Sequence, residues 1–455
     1  MKKFITGIAA LLVLSLFLAA CAADPAPPPA APAAPGAPAA PAAPAAPAAD
    51  DPAPEENGEL AGTITFWHHN THDLRRIPIQ NGVDEFMAEN PGVRVDVEVI
   101  ANDVYKVALR TAMAGGAGPC VFHSWGGGWL RAFVNEGLVV DLTEPMSEWR
   151  PLFSEAAVDM LTFDGSIWGA PYVNSSTLLY YNREIFGRLG LTAPTTFAEL
   201  EHVAETLLAN GYYPFAEANL TRWPGAQHFV LLSMRLGGGD IFSRAIDGEI
   251  SFEHPAFIQA GEMLQDMIHR GWFPAGHNGM NWDTGESRMM MYAGQAGMIV
   301  QTAGFISAAF SEAPDFEPHL GIALFPTIEG GEGLATDILA GVNALSISTF
   351  APNPDASLAL IEKLTTGETT QQGMADGGTL SALQSVTHQR ELMQEAARQL
   401  REATFLQNFI DQTLTPRLTE AHLGTTQALH GLTMTPEEAA AYMQTAFEED
   451  DGSFD

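Results

Sequence analysis

The sequence predicts an α/β fold organised as two domains. Strand-like and helix-like segments alternate after the first sixty residues, which is the pattern of a β-sheet with helices packed on its faces. About 390 residues follow residue 61. A single hydrophobic core usually organises fewer residues than that, so two domains are expected. The alternating segments are residues 63–67, 78–89, 93–99, 105–114 and 121–123.

The three predicted strands differ in how deeply they should be buried. Residues 63–67 are rich in β-branched and aromatic side chains, and residues 121–123 form a short apolar run. Residues 93–99 alternate valine with charged side chains, which is typical of a strand with one face in the core.

The predicted helices are recognised by their apolar faces and their end signals. Helix 78–89 places valine, phenylalanine and methionine on one face and stops at an Asn-Pro-Gly sequence, and helix 105–114 stops at two glycines. Near the C-terminus, residues 390–400 and 403–413 are predicted as helices. Thr435, followed by Pro-Glu-Glu, is predicted to cap a final one.

Two loops follow neighbouring predicted strands. Ligands of α/β sheets bind at the carboxyl ends of the strands, so these loops are the first place to look for a site. The loop over residues 68–73 holds three histidines and an asparagine, and the loop over 124–129 has the sequence Ser-Trp-Gly-Gly-Gly-Trp.

The N-terminal segment predicts export and attachment to a membrane. Residues 1–20 combine two lysines, a short apolar run and small residues before Cys21, as a secretory signal peptide does. Cys21 at the predicted cleavage site resembles the lipobox of bacterial lipoproteins, in which this cysteine receives a diacylglycerol. The alternative is a secreted protein with an incidental cysteine. Residues 21–61 are mostly Ala and Pro and predict a solvated tether.

Charge and cysteine content exclude several function classes. The net charge of −34 argues against binding to nucleic acid or to anionic membrane surfaces, and it favours a neutral solute over an anionic one. If Cys21 is lipidated, Cys120 stands alone and no internal disulfide can form. Cys120 precedes an apolar run, so we expect a buried thiol without a catalytic role. No cofactor is predicted.

Several motifs in order carry a family resemblance. Residues 164–172, 180–186, 194–200 and 293–298 resemble, respectively, a crossover strand, a "YYN+xxF" element, a "PxTxxEL" helix start and a "GxAAM" turn. Together with the two loops, they resemble the sugar-binding extracellular solute-binding proteins of bacterial ABC transporters, the family of the maltose and oligosaccharide binders. That family usually places a tryptophan after the last motif, where this chain has Phe305.

The resemblance implies a type II periplasmic-binding-protein-like fold. Two discontinuous α/β lobes are then joined by a multi-strand hinge with crossovers near residues 169–173, 319–325 and 368–380, and a sugar cleft lies between them. The limits it implies are residues 62–169 and 325–367 for lobe one and residues 174–319 and 378–447 for lobe two. The acidic residues at the C-terminus predict a solvated tail over residues 448–455.

The resemblance also implies a function. The protein would be a monomeric, lipid-anchored component of an ABC importer that closes around a mono- or oligosaccharide and delivers it to the transmembrane permease. It would act outside the cytoplasm, perform no chemistry on the ligand and need no metal.

The candidate ligand-binding residues follow from the chemistry of sugars. A pyranose has apolar faces and a ring of hydroxyls, so a site needs flat aromatic side chains and planar hydrogen-bonding groups. Trp125 is the foremost platform, because the glycines beside it would let a ligand approach the backbone. The predicted set is Trp67, His68, His69, Ser124, Trp125, Tyr172, Asn174, Ser175, Trp223, Trp282, Asp283, Phe305 and Asp337.

Three alternatives compete with sugar capture. His68, His69 and His72 form an HHxxH pattern that suits zinc on a helix, but this run is predicted as a loop. A carbohydrate hydrolase needs two closely spaced carboxylates, and no pair stands out among fifty-five acidic residues. The third alternative is a binder of another small solute such as a polyol.

Overall fold

The computed structural model describes residues 60–450. The predicted signal peptide, Cys21, residues 21–59 of the tether and residues 451–455 of the acidic tail lie outside the described residues. Within the described part, every helix is too short or too polar to cross a lipid bilayer.

The described residues form a mixed α/β structure. The strands are β1 (Gly62–His68), β2 (Val93–Val99), β3 (Val121–Trp125), β4 (Thr162–Phe163), β5 (Ser166–Ile167), β6 (Ala170–Asn182), β7 (Tyr213–Phe215), β8 (Ala296–Thr302), β9 (Leu320–Ala323), β10 (Asp337–Ile347), β11 (Leu380–Ser381) and β12 (Phe405–Gln407). The helices up to residue 269 are α1 (Asp73–Glu89), α2 (Asn102–Ala114), α3 (Gly128–Asn135), α4 (Glu155–Asp159), α5 (Arg183–Leu189), α6 (Phe197–Ala209), α7 (Trp223–Gly237), α8 (Ile241–Ile246) and α9 (Pro255–His269). The remaining helices are α10 (Glu286–Tyr292), α11 (Gly304–Glu312), α12 (Pro354–Thr366), α13 (Glu368–Asp376), α14 (Glu391–Arg401), α15 (Ile410–Thr413), α16 (Pro416–His430) and α17 (Pro436–Glu448).

One long strand connects the two parts of the main sheet. The strand order is β2-β1-β3-β10-β6-β8-β7, with β1 parallel to both β2 and β3. The first half of β6 pairs with β10, and its second half, from Thr177 onward, pairs with β8 and β9. The sheet thus passes from one lobe to the other along β6, as the two-lobe α/β fold requires.

Each lobe has its own hydrophobic core. The first lobe buries Ile64 and Phe66 of β1 against Val83 and Phe86 of α1. The second lobe buries a larger cluster, in which Trp272 is fully enclosed, under α6, α7, α9 and the C-terminal helices. The predicted lobe limits themselves stay a prediction.

Most predicted elements of the first lobe are confirmed, with shifted ends. Helix α1 begins at Asp73, five residues before the predicted start, and keeps Pro78 inside although proline lacks a backbone N–H.

Near the C-terminus, the helix predicted over 403–413 is wrong, because residues 405–407 pair in parallel with β10 as β12 and leave only the short α15. The final helix has the predicted capping box, formed by Thr435 and Glu438.

Candidate ligand-binding cleft

A cleft of about 310 Å³ opens where the carboxyl ends of β1, β2 and β3 face α7, α10 and α11. This is the edge at which ligands of α/β sheets are expected, and the volume is at the lower end of small-molecule sites. Its lining residues are His69, Asn70, Thr71, His72, Arg75, Ala101, Asn102, Lys106, Trp125, Ser175, Trp223, Gln227, Trp282, Asp283, Arg288, Thr302, Gly304, Gly341, Val342, Asn343, Phe409, Asp411 and Gln412.

A chain of hydrogen bonds holds His69 at the floor of the cleft. Asn70 Nδ2 donates to Tyr172 Oη at 3.0 Å, and that phenol lies 2.7 Å from His123 Nδ1. His123 Nε2 is in turn 3.0 Å from His69 Nε2. The Asn70 amide nitrogen can only donate, so Tyr172 Oη accepts this bond, and the phenol and the two imidazoles continue it as a chain from Asn70 to His69.

Burial keeps these histidines neutral. It lowers the pKa of His69 and of His123 well below 6.5, and the nearby Arg75 cation lowers both further. Burial also lowers the pKa of His68 to about 4. A neutral imidazole offers one donor and one acceptor, which suits a hydroxyl ligand better than an anion.

Two groups of aromatic side chains face the cleft. Trp125 is only 4 % exposed and packs edge-on against Trp129, with ring centroids 4.9 Å apart. On the second lobe, Trp223 and Trp282 meet edge to face at 5.6 Å, and the Arg288 guanidinium lies 4.7 Å from the centroid of Trp282. These rings supply apolar surface on both walls of the cleft.

Some polar atoms of the cleft walls have no partner within the described residues. Trp223 Nε1 and Gln412 Oε1 are buried without a hydrogen bond, whereas Gln227 accepts from Thr177 at 2.6 Å. Buried polar atoms are nearly always paired in folded proteins, so unpaired ones on a cleft wall are suited to the hydroxyls of a ligand.

The charged groups of the cleft are mostly paired. Lys106 Nζ lies 3.2 Å from Asp411 Oδ2, and Arg288 forms a two-point ion pair with Glu312. Asp283 is different, since burial, and to a lesser extent the neighbouring Asp103, raises the pKa of its carboxyl.

Six of the predicted ligand-binding residues line the cleft. They come from separate segments of the chain: His69 follows β1, Ser175 lies in β6, and Trp223 begins α7. The full set is His69, Trp125, Ser175, Trp223, Trp282 and Asp283.

Seven predicted residues lie outside the lining. Trp67 packs against the buried cluster that contains Trp125, and Phe305 is fully buried against Tyr180. The remaining five serve as internal hydrogen-bonding groups, and they are His68, Ser124, Tyr172, Asn174 and Asp337.

Asp337 and the glycines after Trp125 have clear structural tasks. The Asp337 carboxylate accepts from Leu334 N at 2.7 Å and from Thr404 Oγ1 at 2.8 Å, which fixes the start of β10.

A Cβ on Gly126 would lie 2.5 Å from the Met160 carbonyl oxygen, so this glycine admits neighbouring backbone instead of a ligand. Helix α3 already begins at Gly128, and the predicted second loop is therefore shorter than expected.

The main residues that sequence reasoning missed are on helices. Arg75, Lys106, Gln227 and Arg288 line the cleft from α1, α2, α7 and α10. In a sequence, a polar residue on an amphipathic helix cannot be told from one that faces solvent. For Arg75 and Lys106, the one indication of a place in the cleft was their position in the first two helical turns after a loop at a strand end.

The histidine motif does not converge on one point. His68 Nδ1 accepts from the Asn70 backbone at 3.2 Å, whereas His72 lies 3.7 Å from Glu312. Residues 60–450 contain no group of three or more His, Cys, Asp or Glu side chains arranged to hold a metal ion. Cys120 is a buried free thiol that accepts from Thr65 Oγ1.

Comparison with known proteins identifies relatives over most of the folded chain. Residues 75–371 match the family described as bacterial extracellular solute-binding protein. An uncharacterized ABC transporter extracellular-binding protein of Pyrococcus horikoshii is 25% identical over 261 residues, 55% of each chain. The matched segment thus spans about half the length of that relative.

Two further matches are longer. The galactooligosaccharide-binding protein of Bacillus subtilis is 24% identical over 336 residues, covering 71% of this chain and 74% of that protein. A solved structure from work on xylan utilization by Caldanaerobius polysaccharolyticus superposes with a TM-score of 0.78 at 27% identity, covering 84% of this chain and 99% of that one.

Proposed function

Because the chain belongs to the family of bacterial extracellular solute-binding proteins, we propose that it captures a sugar or oligosaccharide outside the cytoplasm for an ABC importer. Members of this family are transporter components and not enzymes, so the ligand is released unchanged. The galactooligosaccharide-binding relative supports a saccharide as the ligand.

One observation carries the proposal. A cleft between two lobes has tryptophans on both walls, Trp125 on the first lobe and the Trp223–Trp282 pair on the second. Unpaired buried polar atoms lie beside these rings. A saccharide that fills such a cleft contacts both lobes at once, and it therefore stabilises the closed arrangement over the open one.

The remaining parts of the proposal concern attachment and delivery. A diacylglycerol on Cys21 would hold the protein at the membrane, and the Ala- and Pro-rich residues that follow would let the lobes reach a permease. The closed monomer would then dock on the transmembrane subunits of the importer. Two experiments would test the anchor. One asks whether globomycin blocks processing of the precursor, and the other asks whether the Cys21→Ser variant loses its attachment to the membrane.

Ligand capture is tested by a thermal-shift screen with neutral and acidic mono- and oligosaccharides. A ligand that binds only the folded protein stabilises it by mass action and so raises the melting temperature. At a ligand concentration about 100 times the Kd, the free energy of unfolding increases by about 2.7 kcal/mol. X-ray scattering of the same samples should show a smaller radius of gyration with the ligand. If no saccharide of any charge shifts the melting temperature or the scattering, the proposal fails.

A further inference from the structure

One cation in the cleft lacks the carboxylate partner that the others have. Among the cleft residues that the structure describes, Lys106 pairs with Asp411, and Arg288 and His72 both lie against Glu312. Arg75 contacts none of the described carboxylates at ion-pair distance, and its side-chain hydrogen bond goes to a hydroxyl, since Nε donates to Thr379 Oγ1 at 3.2 Å. No carboxylate of the described part of the chain therefore compensates the positive charge of Arg75.

The surroundings of Arg75 increase its need for a counter-charge. Its two terminal nitrogens lie 3.7 and 3.8 Å from the position that a Cβ would take on Gly304, the first residue of α11. Helix N-termini carry a partial positive charge, and the N-cap residue, Ala303, has no side-chain acceptor for the free backbone N–H groups. The guanidinium and the helix end thus present the same sign of charge to one region of the cleft.

An uncompensated cation in this position is costly for the protein. Burial lowers the pKa of the Arg75 guanidinium, because the charged form is poorly solvated there. The chain has fifty-five acidic residues and could supply a partner, but none of those within residues 60–450 reaches Arg75. A partner that arrives with the ligand accounts for both the missing ion pair and the open access from the cleft.

We propose that Arg75 binds the carboxylate of an acidic saccharide, such as a uronic acid unit. This inference rests on the proposed saccharide function and specifies its substrate class. The planar guanidinium offers two parallel N–H donors that match a carboxylate, and the N–H groups at the start of α11 lie on the same side of the cleft. The net charge of the chain favours a neutral solute, and this proposal departs from that expectation because of the local charge at Arg75.

The carboxylate is favoured over a phosphate by charge balance. A carboxylate carries one negative charge, equal to the single unpaired charge of Arg75, whereas a phosphate monoester carries about −1.5 to −2 at pH 7. Asp283 supplies a further carboxylate on the cleft wall, and the whole chain has a net charge of −34. Excess negative charge on the ligand would be repelled.

The test compares sugars that differ only at C6. Calorimetric titrations would use galactose, galacturonic acid and galactose 6-phosphate, and the corresponding gluco compounds, with the full chain and with Arg75→Gln and Arg75→Lys. We expect Arg75→Gln to weaken uronate binding by about 10- to 100-fold, the range for a charged hydrogen bond, and to change neutral sugar binding far less. Arg75→Lys should recover part of the loss, because it keeps the charge without the planar fork.

Arg76→Gln is the matched control, because Arg76 lies next in α1 and pairs with Asp73 instead of lining the cleft. It should leave both affinities unchanged. Equal binding of neutral and acidic partners, with Arg75→Gln weakening both alike, would overturn the acidic-saccharide inference while leaving sugar capture intact. Tighter binding of the phosphate than of the uronate would overturn the carboxylate assignment. Absence of binding by every sugar would instead refute the proposed function.

Discussion

Tyr172 Oη lies 2.7 Å from His123 Nδ1, deep beneath a cleft that neither side chain lines. The two residues come from β6 and β3, and β10 lies between these strands in the sheet. Their contact continues through His123 to His69, which does reach the cleft. The orientation of the His69 imidazole at the cleft floor is thus linked, through His123, to a phenol that does not reach the cleft.

Removing that phenol oxygen should disturb both stability and binding. Tyr172→Phe leaves the buried His123 Nδ1 and Asn70 Nδ2 without their shared partner, which costs about 1–3 kcal/mol of unfolding free energy. Saccharide affinity should also fall, because the hydrogen-bond chain that positions His69 is interrupted. Chemical denaturation and calorimetry would measure the two effects. Tyr442→Phe, at an exposed tyrosine on α17, is the control, and equal behaviour of the two variants would contradict the prediction.

The unpaired indole nitrogen of Trp223 should act only when a ligand is present. Trp223→Phe removes a buried donor that has no protein partner, so we expect ligand affinity to fall about tenfold while the ligand-free protein loses little stability. Trp272 is a matched control, since its Nε1 is also unpaired but lies in the core of the second lobe. Trp272→Phe should lower stability and leave affinity unchanged. Unaltered affinity in Trp223→Phe would argue against a ligand bond there.

The two tryptophan walls should respond differently to truncation. Trp282→Ala should weaken saccharide binding by about 1–3 kcal/mol with a small change in melting temperature, because the side chain is only partly buried. Trp125→Ala should lower both binding and melting temperature, since Trp125 is part of a buried aromatic cluster. Met289→Ala, exposed on α10, serves as the control. Intact binding in Trp282→Ala would remove this ring from the site.

Stability should decline as the pH falls below about 6.5. Burial lowers the pKa of His422 to about 4, so between pH 6.5 and 4 the unfolded chain binds a proton there that the folded chain does not. The unfolding free energy then decreases by up to about 1.4 kcal/mol per pH unit for this group, moderated by Asp411, which favours the charged form. His422→Leu should flatten the dependence of the melting temperature on pH over this range. The exposed His202→Leu should leave the slope as it is, and identical slopes in both variants would refute the assignment.

The sequence predicted the parts of the structure where local pattern and final environment agree. β2 alternates valine with charged residues and is a strand, and Thr435 caps the final helix with Glu438 three positions on, as expected. The segment over 403–413 was misjudged because its strand exists only by pairing with β10, a contact nearly seventy residues away. Long-range pairing leaves no periodic trace in the strand itself.

The site was partly predictable for the same reason. Residues in the strand-end loops, such as His69 and Trp125, were found because the sheet rule points to them. Arg75 was missed, because a sequence does not show whether a charged side chain on a helix has an ion-pair partner. That property depends on which carboxylates the folded chain brings near, and none of the described ones reaches it.

The continuity of β6 through both parts of the main sheet has a thermodynamic consequence. Its first half is hydrogen-bonded to β10 and its second half to β8 and β9. If one lobe unfolds, β6 loses the backbone hydrogen bonds on that side, and the part of β6 in the other lobe is destabilised. Cooperative melting of the lobes as a single unit follows, with one heat-absorption peak in scanning calorimetry. A saccharide held at the cleft would accordingly protect the distant C-terminal helices from denaturant as effectively as it protects the residues it touches.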